Sequence, residues 1–331
     1  MRMSTWIWVV IGLLILPLIS AAELPSEIIN NFFPLHENNI DLAVGTPVCL
    51  NRSNIPKEEL HWLAMPSNSS ELATNEYYGY LSGQLIKAGV VNASDCPLNG
   101  LWPTGYANSC GLEKTHEVSL YLQNVYDDEI LAAGKNVGVP PLMIKQLIRY
   151  ESQFWPVQIG FYHFGLGHLT YAGAQNALIW SRDLYEAVLA QSYPGITDLA
   201  TELLSLMDAS CPACTYKINI PKAEKSINYI AQVLMGFCKQ TSQVVSNATD
   251  RNPGEVVSYA TIWKLTLLNY NGGPMCVYDA VRESYHSQKP ESGKLMSWAS
   301  IASQVDAKYC LVSLEYVESI TGNYYEYEET P

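Results

Sequence analysis

Apolar residues recur at helical intervals through the later two-thirds of the chain and hardly at all through the first third. Residues 23 to about 112 are rich in Asn, Ser, Pro and Gly, with turn signals at Pro97-Leu98-Asn99-Gly100 and Pro103-Thr104-Gly105. That pattern predicts a loop-rich region with short helices near 58–63 and 77–88. From Glu113 onward Val118, Leu122 and Val125 fall at i, i+4 and i+7, which predicts a helix ending near Gly134 or Gly138. Pro140-Pro141 opens the next helix, because the fixed φ of proline suits a first turn. Pro156 disfavours helical geometry at Trp155, so that helix runs to about Phe154. Residues 222–239 carry Ile227, Ile230, Ala231, Leu234, Phe237 and Cys238 on one face, and 255–270 do the same with Val256, Ala260, Trp263, Leu267 and Tyr270. Gly272-Gly273-Pro274 ends the latter. A last helix has Leu314, Val317 and Ile320 at helical spacing. No strong alternating pattern competes, and no internal repeat is visible, so the fold class is all-α.

Composition narrows the function classes. A hydrophobic share of 48% against 15% charged, over 331 residues, supplies a core and excludes a disordered chain. A net charge of −13, with no basic cluster beyond Lys222 and Lys225, argues against nucleic acid. Arg2 precedes an apolar run from Trp6 to Ile19 and then Ser20-Ala21-Ala22. That run of about 14 residues falls short of the roughly 20 needed to span a bilayer. Residues 1–22 therefore read as a signal peptide, with no stable transmembrane span, and the expected location is secreted or cell-envelope. Eight Cys in an exported chain predict disulfides, with Cys96 and Cys110, which bracket a Pro/Gly-rich loop, the favoured pair. Cys211-Pro-Ala-Cys214 has no second CxxC or His pair beside it and reads as structural. Triplets at Asn51, Asn68, Asn92 and Asn247 fit the glycosylation pattern, one that is frequent by chance.

The chemistry centres on the helix opened by Pro141. Its apolar stripe is Ile144, Leu147 and Ile148, and Glu151 continues that stripe onto the core-facing side. Lys145, Gln146 and Arg149 are expected on the other side. A carboxylate on a buried face is costly, and burial raises its pKa, which is what a general acid at neutral pH requires. Three further features stand out: the loop Gly165-Leu166-Gly167-His168-Leu169, the segment Asn269-Tyr270-Asn271-Gly272-Gly273-Pro274, and Tyr316-Val317. Singly they have bland readings as a tight turn, a helix cap and a core aromatic. No His sits in a nucleophile motif, no His/Asp/Glu cluster has metal-ligand spacing, and no cofactor is implied.

Taken in order, these motifs resemble the catalytic domain of soluble-type lytic transglycosylases, which share the goose-type lysozyme fold. In that family a Glu-Ser pair ends a helix and a Gly-Leu-Met-Gln loop follows. An Ala-Tyr-Asn-x-Gly-Pro segment comes further on, and a Tyr-Val pair lies near the end. Here Glu151-Ser152, Gly165 to His168, Tyr270-Asn271-Gly272-Gly273-Pro274 and Tyr316-Val317 match, over residues 113–320. The resemblance implies a lysozyme-like helical domain at 113–320, a loop-rich region of unknown role at 23–112 and an acidic tail at 321–331. It implies cleavage of the MurNAc–GlcNAc β-1,4 bond of peptidoglycan glycan strands, closing a 1,6-anhydro ring. Glu151 would be the catalytic acid/base, with Ser152, Gly165, Leu166, His168, Tyr270, Asn271 and Tyr316 around the substrate. The chain departs from the pattern at Gly167 and His168, which replace Met and Gln, and at Asn269, which replaces Ala. The family Gln contacts substrate; if His168 does so too, activity is expected to depend on pH between about 5.5 and 7.5, and the alternative is a His168 that points into the core and serves packing. Residues 176–221 are longer than the usual connection. No second carboxylate stands in a recognisable motif, and Asp183 reads as a solvated helix residue. A hydrolytic goose-type lysozyme and a non-catalytic glycan-binding wall protein remain the alternatives, and the oligomeric state is left open.

Overall fold

Caps and proline placement cut the chain into helices more often than apolar spacing alone foretells. The structure is a computed structural model and describes residues 48–52, 61–157, 163–192, 198–288, 295–306 and 308–322. The signal segment and all but the first two residues of the acidic tail lie outside these. The short helix predicted at 58–63 lies partly outside them, and His61–Leu63 forms a single 3₁₀ turn. The one predicted at 77–88 is α1, Gly79–Lys87. The single helix expected up to Gly134 or Gly138 is instead two, α2 (Ser109–Asn124) and α3 (Asp127–Val137). The chain breaks at Val125-Tyr126, and Tyr126 is fully buried beside the break. Gly138 then caps α3 at φ 86°, a left-handed geometry that glycine takes without penalty.

α4 spans Pro141–Ser152. It is buried nearly all round, which corrects the expectation that Lys145 and Arg149 face outward. Lys145 Nζ reaches Asp127 Oδ1 at 2.6 Å and Asn124 Oδ1 at 3.1 Å. Arg149 Nη2 donates to the Ser319 carbonyl at 3.0 Å. Burial pushes the Asp127 carboxyl up and the Lys145 amine down, and their mutual attraction opposes both shifts. The helix stops because Gln153 and Phe154 turn left-handed, at φ 46° and 64°. Gln153 Oε1 then accepts from the backbone N–H groups of Tyr80 and Leu81, at 2.8 and 3.3 Å. It thereby caps the first turn of α1, whose own N-cap position supplies no side-chain bond.

Beyond the loop at 163–170 come α5 (Tyr171–Trp180), α6 (Arg182–Gln191) and α7 (Leu199–Met207), opened by Thr170, Ser181 and Asp198 as caps. α8, Ile220–Thr249, outruns its predicted limits. The helix expected at 255–270 begins as one turn, Pro253–Val256. It restarts behind the Ser258 cap as α9, Tyr259–Gly272. α10 (Pro274–Gln288), a short helix at Trp298–Ala302 and α11 (Lys308–Thr321) complete the set. α8 is the axis of the bundle: α3, α5, α9 and α10 all pack on it, while α11 packs across α9 and α4. Among the described residues there is no strand, only isolated bridges, so the fold class is all-α. No helix among them is long and apolar enough to cross a membrane.

All eight Cys are paired: Cys49–Cys238, Cys96–Cys110, Cys211–Cys214 and Cys276–Cys310. The bracketed-loop pair is as expected, and the CxxC closes on itself. Four disulfides fit a protein of an oxidising compartment.

Candidate active site

The last turn of α4 delivers Glu151 to a place where three other segments meet. Its side chain is 15% exposed. Tyr316, buried on α11, donates its hydroxyl to Glu151 Oε1 at 2.7 Å. Burial pushes the Glu151 carboxyl from an ordinary 4.5 up to about 7, against the Tyr316 hydrogen bond that pulls it down. Burial, together with the neighbouring carboxylate, holds the Tyr316 phenol far above its usual range, so it stays a donor. Tyr150 meets the Tyr316 ring edge-on, centroids 4.9 Å apart.

His168 stands at the other carboxylate oxygen, its Nδ1 3.7 Å from Oε2. The loop that carries it is closed at its base, where Phe164 and Leu169 exchange backbone hydrogen bonds at 3.1 Å each way. Gly165 sits at φ 67°, and a Cβ there would lie 2.6 Å from the Met207 carbonyl oxygen. Only glycine fits. At the crest, the Tyr270 hydroxyl donates to the Gly167 carbonyl at 2.7 Å, tying the loop to the end of α9. The His163 ring lies over the His168 ring, centroids 5.6 Å apart. Burial, with His163 adding to it, lowers His168 to about 4. Desolvation thus favours the neutral imidazole and takes His168 below the window of about 5.5–7.5, while the carboxyl raised to about 7 is that of Glu151.

The remaining expected residues fall into two groups. Ser152, Gly165 and Leu166 are buried, and Ser152 Oγ donates to the Ile148 carbonyl at 3.1 Å. Ser152 and Leu166 are fully buried in this structure, as is Tyr316; Ser152 packs at the helix end and Leu166 in the core. Asn271 is exposed, and its Oδ1 accepts from Ser313 Oγ at 2.7 Å, so it joins the end of α9 to α11. Asn269, the departure beside it, is buried and donates to Gln240 Oε1 and Thr241 Oγ1, at 2.9 and 3.0 Å. Glu151, His168, Tyr270 and Tyr316 thus converge, and Asn271 flanks them.

Sequence reasoning missed Gln153, His163 and Ser313. Ser313 was within reach, since it lies three residues before Tyr316 on the same helix face. Gln153 gave no signal, because its role depends on a contact across the chain. Asp183 sits in the exposed first turn of α6. Among the described residues, no second carboxylate is one of the groups that act on Glu151. Among the described residues no group of three His, Cys, Asp or Glu could hold a metal ion. Comparison with models of known protein families, with curated proteins and with solved structures finds no match to this chain.

Proposed function

We propose that the chain is a peptidoglycan lytic transglycosylase built on a lysozyme-like helical domain, with Glu151 as its single acid/base. The observation that carries the reading is a carboxyl raised to about 7 and hydrogen-bonded to the buried Tyr316, with no second carboxylate acting on it among the described residues. A carboxyl so tuned is about half protonated at pH 7, where an ordinary Glu is fully ionised, and can give its proton to a glycosidic oxygen. Ordinary glycoside hydrolysis works with two carboxylates, spaced for water or for a covalent intermediate. The intramolecular route needs one. Glu151 donates its proton to the oxygen of the MurNAc–GlcNAc bond as that bond to C1 breaks. The same carboxylate then takes the proton of the MurNAc 6-hydroxyl as O6 bonds to C1. The carboxyl ends protonated, and no water is consumed. Tyr316 remains hydrogen-bonded to Oε1 throughout and orients the group. The exposed aromatic Tyr150 offers a surface for sugar rings beside the acid.

The test is clearance of purified peptidoglycan by the mature protein and by Glu151→Gln. Clearance by the wild type with loss in a folded Glu151→Gln supports the reading, and equal clearance by both removes Glu151 from the mechanism.

A further inference from the structure

The two oxygens of Glu151 are not equivalent. Tyr316 donates to Oε1, and its phenol stays protonated across the neutral range, so Oε1 is an acceptor whether or not the carboxyl is ionised. The acid proton therefore resides on Oε2. That oxygen faces His168 Nδ1 at 3.7 Å, just beyond the roughly 2.7–3.2 Å of a hydrogen bond and too close for a water between. A small rotation of either side chain closes the gap, as sites of this kind do when they engage a ligand. The loop backbone aims the ring there. His168 sits at φ 46°, a left-handed geometry that costs a non-glycine residue about 1 kcal/mol or more and is held by the Phe164–Leu169 closure. Its other nitrogen, Nε2, is buried without a hydrogen-bond partner, so no second bond fixes which nitrogen carries the proton.

We propose that His168 is a positioning residue for Glu151, a neutral imidazole that accepts the Oε2–H proton at Nδ1 and donates an N–H from Nδ1 once Glu151 is a carboxylate. The contact stands on the geometry alone, whereas its catalytic consequence rests on the function proposed above. With Glu151 protonated the ring is the Nε2–H tautomer. With Glu151 ionised it is the Nδ1–H tautomer. In the change the Oε2 proton passes directly to Nδ1 and the Nε2 proton is lost to solvent, so the pair gives up one proton in all and the ring charge stays zero. The groups facing the pair are Tyr316 from α11, Tyr270 from α9 and His163 from the loop. Both phenols are held well above their usual range by burial. His163 faces solvent and its ring stacks on that of His168, so the reporter protein carries His163→Gln.

The experiment is ¹⁵N NMR of the histidine rings in the mature His163→Gln protein, from about pH 5 to about pH 9. The expected result is a neutral His168 ring that changes tautomer with a midpoint near 7, and a change that vanishes when Glu151→Gln is added. One tautomer at every pH, or a cationic ring at pH 6, overturns the proposal. Neither result depends on turnover, so failure of the functional reading is seen separately, as absence of cleavage. With activity present, His168→Leu lowers kcat by about tenfold with KM little changed, and His168→Gln, which can accept and donate, recovers most of that loss. Equal losses in both variants reduce His168 to packing and overturn the proposal.

Discussion

Glu151 holds its raised pKa at a cost to the fold, and the sign of that cost is readable. Its carboxyl moves from 4.5 to about 7, so the folded protein binds more protons than the unfolded chain between those values. Stability is then full below 4.5 and falls as pH rises through 7, by about 3 kcal/mol at roughly 1.4 kcal/mol per unit. Glu151→Gln keeps the acceptor for Tyr316 and removes the buried charge. It is expected to raise Tm at pH 8 and leave it unchanged at pH 4, in thermal unfolding followed by circular dichroism. No pH-dependent gain would mean that the carboxyl is not desolvated. His168 carries the opposite sign. Its pKa falls from 6.5 to about 4, so its contribution is present above 6.5 and is lost as pH falls through 4. His168→Gln is expected to flatten the loss of Tm between pH 6.5 and 4, and an unchanged acid slope would contradict that. At this scale the sequence was informative about Glu151, because a helical stripe says which residue meets the core. It did not foretell that Ser152 and Leu166 are buried, because a motif names neighbours in the chain, while backbone turns decide which of them reach a surface.

At the scale of elements, α4 is held from two sides by contacts that periodicity cannot reveal. Lys145 read as a surface lysine because it lies off the apolar stripe, yet it is buried against Asp127 of α3. Removing one member strands a buried charge. Lys145→Met is expected to destabilise by about 3–5 kcal/mol, and adding Asp127→Leu to recover most of it, in a denaturant double-mutant cycle. An additive cycle would show the two residues to be uncoupled. The break between α2 and α3 escaped the sequence for a related reason. The buried face of α2 is Gly111, Thr115, Ser119, Leu122 and Gln123, small or polar residues apart from Leu122, which leave a weak apolar signal. Gln123 is buried because it holds the 74–76 segment, accepting from Thr74 Oγ1 and the Glu76 N–H at 2.8 and 3.0 Å. Proline and cap signals fared better. Pro141, Gly138 and the Gly272-Gly273-Pro274 stop all act locally, and the helix ends there agree with their chemistry.

For the whole molecule, the all-α class was legible from periodicity, and the disulfide framework only in part. Cys96–Cys110 follows from a short bracketed loop. Cys49–Cys238 joins positions 189 residues apart, and no local pattern could select it. In the chain-entropy account, closing a long loop restrains the unfolded chain most. Replacing Cys49 and Cys238 by Ser is therefore expected to cost on the order of 2–5 kcal/mol, against a much smaller loss for Cys211 and Cys214, whose separation is 3. Equal losses by thermal unfolding would point to native-state strain instead. The central claim concerns one carboxyl working without a second. The direct test is mass analysis of the muropeptides that the mature protein releases from purified peptidoglycan at pH 6. Fragments ending in 1,6-anhydro-MurNAc, each lighter by one water than its hydrolytic counterpart and absent with Glu151→Gln, are the predicted result. Reducing-end MurNAc products, or no products at all, would contradict it.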